Sequence, residues 1–195
     1  MPQPKRLAKR TMAQAEGSAL LEFAITLPLL VVFVVGIFDF SGAFNQKQKI
    51  EQAAQQGAII AAAQPTSDID PSNPSPASLQ PAVTIVYNSL KNAGVLPQAG
   101  VGSCIPSAAT VINAGLTWTY SISGCSPDVS DNLIISIDRG WVPSGATGTA
   151  SVCTKVTVNY NYHWRFNSAI QLLFPGAGYA AVTNVTETST VHNQT

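Results

Sequence analysis

Residues 17–40 read Gly-Ser-Ala-Leu-Leu-Glu-Phe-Ala-Ile-Thr-Leu-Pro-Leu-Leu-Val-Val-Phe-Val-Val-Gly-Ile-Phe-Asp-Phe. Phe23 to Phe38 carries no charge over 16 residues, and Ala19–Leu21 lengthen the apolar stretch to about 20, enough to cross a bilayer as a helix. One acid, Glu22, stands inside the run near its start. An ionisable side chain at membrane depth is costly and therefore marks a functional position. A glycine, Gly17, lies five residues before that acid.

Upstream, the first 17 residues carry Lys5, Arg6, Lys9 and Arg10 against Glu16, a net +3 that leaves −3 on the rest of an overall neutral chain. The basic leader predicts a cytoplasmic N-terminus by the positive-inside rule. A cleaved secretory signal is the competing reading, with Ser41-Gly42-Ala43 as the cleavage site. Its apolar core should be only about 7–15 residues long.

Downstream, residues 43–63 hold no proline and many helix formers. Ile50, Ala53, Ala54, Gly57, Ala58 and Ala61 recur at helical spacing. The expectation is one continuous helix over 18–63: a transmembrane part over 19–40, then an amphipathic extension over 43–63 with a small-residue stripe suited to close packing. From Ala19 to Ala63 this rod would be about 68 Å long, with Pro28 and Gly42 as places for local adjustment.

Gly17-Ser18-Ala19-Leu20-Leu21-Glu22-Phe23 resembles a type IV prepilin cleavage site. Leu21 to Leu30, with Leu-Pro-Leu-Leu at 27–30, and then Gly36-Ile37-Phe38-Asp39-Phe40 resemble the TadE-like pseudopilins of the tight-adherence (Flp) pilus system. Ala53-Ala54-Gln55-Gln56-Gly57-Ala58 extends the likeness weakly. The resemblance implies a minor pilin cut by a prepilin peptidase between Gly17 and Ser18, which makes Glu22 the fifth residue of the mature chain. It implies that Glu22, Phe23 and Pro28 serve subunit register and assembly. Glu22 facing the α-amine of Ser18 in a neighbouring subunit would relieve an unpaired carboxylate in hydrocarbon and fix the axial register. The implied partners are the peptidase, other pilin and pseudopilin subunits, an inner-membrane assembly platform and membrane lipid. The implied location is the bacterial inner membrane, head outward in the periplasm, and later the pilus.

Residues 64–77 are rich in Pro, Ser, Asn and Asp and read as a linker. Residues 78–195 read as an α+β head. Ser78 to Ala93 suits a helix with Ser78 as N-cap, Pro81 in the first turn and Gly94 beyond the end; Leu79, Val83, Val86, Tyr87 and Leu90 form its apolar face. Strand texture follows at 109–113, 116–123, 133–138, 152–162 and 179–191, predicting an antiparallel sheet. Residues 166–174 suit a short helix or loop.

The three cysteines, Cys104, Cys125 and Cys153, lie in this head, and disulfides persist in an exported domain. A hairpin with Ala114-Gly115 at its tip pairs position i with 229 − i and sets Cys104 opposite Cys125, a spacing that admits a disulfide. Cys125–Cys153 is the second pairing, and three thiols the third possibility.

Ten acids balance ten bases, so the whole chain gives no basic footprint for nucleic acid. No CxxC or HxxxH spacing suggests a metal, and His163 and His192 are the only histidines. No P-loop, dinucleotide fingerprint or G-x-S-x-G occurs. Asp128, Asp131 and Asp138 are scattered acids near turns. The expectation is a structural protein without enzymatic activity or cofactor. Its rivals are an unprocessed, membrane-anchored periplasmic binding or adhesion protein, and an anchored enzyme, which needs a polar catalytic cluster.

Overall fold

The structure is a computed structural model. It describes residues 5–96, 110–112, 116–125, 132–145, 152–166, 171, 175–176 and 182–194. The chain divides into two compact units, Met1–Gly42 with Trp164–Ala181, and Ala43–His163 with Val182–Thr195. The first helix, α1 (Lys5–Ala63), supplies residues to both and runs through Pro28 without interruption.

The second unit is a sheet covered on one face by helix. Its strands are β1 (Thr110–Ile112), β2 (Thr117–Ile122), β3 (Leu133–Trp141), β4 (Cys153–His163) and β5 (Val182–His192), in the spatial order β1-β2-β3-β4-β5, every neighbouring pair antiparallel. The fold is α+β, as the sequence predicts. Alternation explains which face is covered. Trp118, Tyr120 and Ile122 of β2, Leu133, Ile135 and Ile137 of β3, and Val156, Val158 and Tyr160 of β4 point inward and are buried. Facing outward, Thr119, Ser136, Thr157 and Thr188 form one rung across β2 to β5. Hydroxyl bonds join Thr119 to Ser136 at 2.9 Å and Thr157 to Thr188 at 3.2 Å.

The β1–β2 hairpin pairs Thr110 with Thr119, Val111 with Trp118 and Ile112 with Thr117. Each pair sums to 229, the register read from the Ala114-Gly115 turn. β3 runs three residues beyond its sequence estimate, through a bulge between Asp138 and Trp141. There Asp138 Oδ1 accepts the Gly140 N–H at 2.9 Å. A Cβ on Gly140 would meet Leu116 Cδ1 at 2.4 Å, so a side chain there would have to displace Leu116.

Helix α2 (Gln80–Asn92) follows a 3-10 turn over Ala77–Leu79. Its N-cap is Leu79 rather than Ser78. Ser78 is turned inward instead, and its N–H donates to Asp68 Oδ2 at 2.8 Å. The helix ends as the sequence suggests: Gly94 takes φ 69°, its N–H donates to Lys91, and the Val95 N–H donates to Leu90. That pair of bonds is a Schellman closure, in which glycine tolerates the left-handed position. Leu79, Val83, Val86 and Leu90 are buried as expected, with Ala82 added.

The small-residue stripe of α1 is a close-packing surface, as its sequence suggests, and its partner is the head. Ile50, Ala53, Ala54, Ala58, Ala61 and Ala62 are all buried, within the same unit as α2 and the sheet. At Gly57 a Cβ would lie 2.4 Å from Val86 Cγ2 and 3.5 Å from Val156 Cγ1. The stripe is therefore spent on the head's own core, where it brings the α1 backbone close to α2. Gln46 Nε2 donates to the Asn161 carbonyl at 3.1 Å, and Lys47 Nζ lies 3.6 Å from Glu187 Oε1, fastening the same stretch to β4 and β5.

The turn-rich stretch after α1 lies on the sheet. Trp118 Nε1 donates to the Asn73 carbonyl at 3.0 Å, and Ile69 packs on the core. The Ser78 hydroxyl and N–H hold the Asp68 carboxyl below the usual carboxylate range.

Candidate functional site in the N-terminal helix

Residues 17–27 of α1 are exposed throughout, as are Leu29, Leu30, Val31, Phe33, Val34, Ile37, Phe38 and Phe40. The most apolar stretch of this helix buries none of its residues. A soluble protein keeps its core helix covered and shows only small apolar patches. Here the large side chains of the run face outward, with only Pro28, Val32 and Val35 partly covered. Length and composition together make this helix suited to crossing a membrane.

The polar groups along it are arranged accordingly. Thr26 Oγ1 donates back to the Glu22 carbonyl at 2.9 Å and lies 3.3 Å from that of Phe23, so the hydroxyl is satisfied within the helix. Glu22 is exposed, and its carboxylate finds no ion-pair partner among the described residues. Gly17 is exposed, and a Cβ built there would meet nothing within 4 Å. Glycine inside a helix costs about 1 kcal/mol relative to alanine. Packing among the described residues gives no reason to accept that cost at position 17.

A second acid closes the run. Asp39 is only 2% exposed. Its Oδ1 accepts the Arg165 N–H and its Oδ2 the Phe166 N–H, each at 3.2 Å. Next to it, Phe40 meets Trp164 edge-to-face, ring centroids 5.4 Å apart and planes at 73°. Sequence reading missed this role for Asp39. The signal was present, since the cost argument that singled out Glu22 applies equally to an acid at the other end of the same run.

This exposed apolar helix, with Gly17, Glu22, Pro28 and Asp39 in place, is the part of the chain that matches known proteins. Residues 17–58 match the family model for TadE-like proteins. The segment is TadE-like. The match spans 42 of the 195 residues and stops within α1, before α2 and the sheet. No curated protein and no solved structure matches the chain. The TadE-like segment agrees with the family resemblance read from the sequence. The match and the one such apolar helix among the described residues together fit a membrane-anchored protein.

Among the other residues singled out in the sequence, Cys125 is buried, its Sγ 3.8 Å from the Ile122 carbonyl oxygen. Cys153 is a buried thiol whose Sγ lies 3.3 Å from His192 Nδ1, so the Cys125–Cys153 pairing is not formed. Cys104, Asp128 and Asp131 lie outside the described residues. So does most of the 166–174 stretch read as a short helix or loop. Asp138 serves the β3 bulge, and His163 ends β4 half-buried.

Proposed function

We propose that the chain is a minor pilin (pseudopilin) of a tight-adherence pilus. In this reading a prepilin peptidase cuts it after Gly17, an N-in membrane helix holds it with the head outside, and it then joins other pilin subunits at the inner-membrane platform. The observation that carries the proposal is the TadE-like match across an apolar helix whose surface is unburied and whose acid near the start, Glu22, has no ion-pair partner among the described residues. Gly17 supports the processing step: nothing among the described residues needs a glycine there, while a peptidase that recognises one would. The role is structural rather than catalytic.

The α-amine released at Ser18 would meet Glu22 of the adjacent subunit, with Phe23 and Pro28 shaping the contact between helices. Because the stripe over 53–62 is already buried in the head, intersubunit helix packing falls on residues 18–44 rather than on the whole of 18–63.

Glu22→Ala tests this. Removing an acid from the apolar run eases insertion, by less than the roughly 2.5–3.5 kcal/mol that an acid at the helix centre costs. The variant is expected to be processed and membrane-bound, yet depleted from sheared pili and from cross-linked pilin complexes. Normal recovery in both fractions contradicts the register pairing and favours an anchored protein that works alone.

A further inference from the structure

The unit that contains the apolar half of α1 also contains Trp164–Ala181. Those 18 residues include one charged side chain, Arg165, and no acid. Their first three residues are gripped by α1: Asp39 accepts the N–H groups of Arg165 and Phe166, and Phe40 stacks on Trp164. Arg165 and Phe166 are exposed and Trp164 half-exposed.

Asp39 sits where the apolar run ends. Glu22 and Asp39 bracket 16 uncharged residues, about 24 Å of helix, against a hydrocarbon thickness of about 30 Å. Both acids therefore fall close to the two edges of the hydrocarbon. At such depth a turn is tolerated only if its backbone polar groups are satisfied by protein. The two carboxylate oxygens of Asp39 do that for the N–H groups of the turn. Tryptophan and arginine are the residues that suit this level: an indole at the headgroups, and a guanidinium for lipid phosphate.

We infer that the Trp164–Arg165–Phe166 turn, clamped to α1 by Asp39, is a lipid-binding foot seated in the headgroup region of the leaflet at the Asp39 end of the helix. Its partner is a phospholipid surface: Trp164 and Phe166 enter the apolar margin and Arg165 meets phosphate. The foot fixes how far the helix is inserted before the subunit leaves the membrane. The inference rests on the reading of α1 as a membrane span.

The experiment uses the full chain reconstituted in phosphatidylcholine–phosphatidylglycerol vesicles whose acyl chains are either plain or brominated. Flotation reports anchoring, and quenching of tryptophan emission reports indole depth. The wild-type chain is expected to float and to lose emission in brominated lipid. W164F is expected to abolish that loss and W141F to keep it. Asp39→Ala should float with at least a twofold smaller loss, because the turn is released. A wild-type chain that floats without quenching overturns the foot and leaves the anchor intact, as does quenching that persists in W164F. An unchanged loss in Asp39→Ala overturns the clamp, and a chain that does not float overturns foot and anchor together.

Discussion

Arg139 on β3 donates from its guanidinium to the carbonyl of Ala61, in the last turn of α1. The same group donates to the Gln64 carbonyl at 2.8 Å and to Thr154 Oγ1 at 3.1 Å, and the side chain is only 4% exposed. Helix α1 ends without a basic residue in its last turn. A cation from a neighbouring strand therefore meets carbonyls at the helix end, where the negative end of the dipole lies. Burial lowers the Arg139 pKa, with Asp68 opposing that shift. Around it, Asn193 Nδ2 donates to the Arg139 carbonyl at 3.3 Å and the Gln194 N–H donates to the Ala62 carbonyl at 3.2 Å. The C-terminal strand is thus tied to the same helix end.

Arg139→Met is expected to destabilise the head by about 2–3 kcal/mol, the scale of a hydrogen bond from a charged group together with buried acceptors left unpaired. Arg139→Lys should recover only part of this, because an ammonium cannot fork to Ala61, Gln64 and Thr154 at once. Urea unfolding of the full chain in detergent, followed by tryptophan emission, measures both.

Two glycines of the same helix should respond in opposite ways. Gly57→Ala places a methyl group on Val86 and is expected to cost about 1–3 kcal/mol through overpacking. Val86→Ala in the same chain should recover part of that loss. Gly17→Ala meets open space. It should leave the head unchanged and make the helix up to about 1 kcal/mol more favourable, while blocking processing. Unfolding curves and the mass of the membrane-bound protein separate the two effects.

Tyr120 makes the head sensitive to base. Burial, helped by the charge on Asp68, pushes its phenol up to about 12 from the usual 10.0. The unfolded chain then releases this proton first. The contribution is fully present below about pH 10 and is lost as pH rises toward 12. The hydroxyl has no hydrogen-bond partner among the described residues, so Tyr120→Phe should be near neutral at pH 7. It should also move alkaline unfolding to higher pH. Tyrosinate absorbance and tryptophan emission, recorded in one titration, test this.

The observed hairpin register supports one disulfide. The same 229 sum, carried on along the sequence beyond Thr110↔Thr119, would set Cys104 opposite Cys125. We propose that they are bonded, closing a loop of about 20 residues worth about 3 kcal/mol in the chain-entropy model. Non-reducing peptide mapping should recover a Cys104–Cys125 peptide. Recovery of both as thiols contradicts it.

Much of this was legible in the sequence because it depends on local pattern. The charge-free run declared the exposed helix, alternation over Thr154–Tyr160 declared β4, and the Ala114-Gly115 pair in the sequence predicted the hairpin register. Residues acting through distant partners were less legible. Arg139 continues the inward parity of Leu133, Ile135 and Ile137, but nothing local says that a helix end waits opposite it. Asp39 needed a partner 126 residues away. The alanine stripe was read correctly as a close-packing surface. Periodicity does not say whether its partner is another subunit or, as here, the same chain's own head.

The central claim is that the TadE-like helix is a processed pilin helix. The most direct measurement is the intact mass and N-terminal sequence of the protein recovered from the membranes of cells that assemble the pilus. The account predicts a chain beginning at Ser18, with or without an N-methyl group. A chain that retains Met1, or one that begins after Ala43 as a secreted protein would, contradicts it.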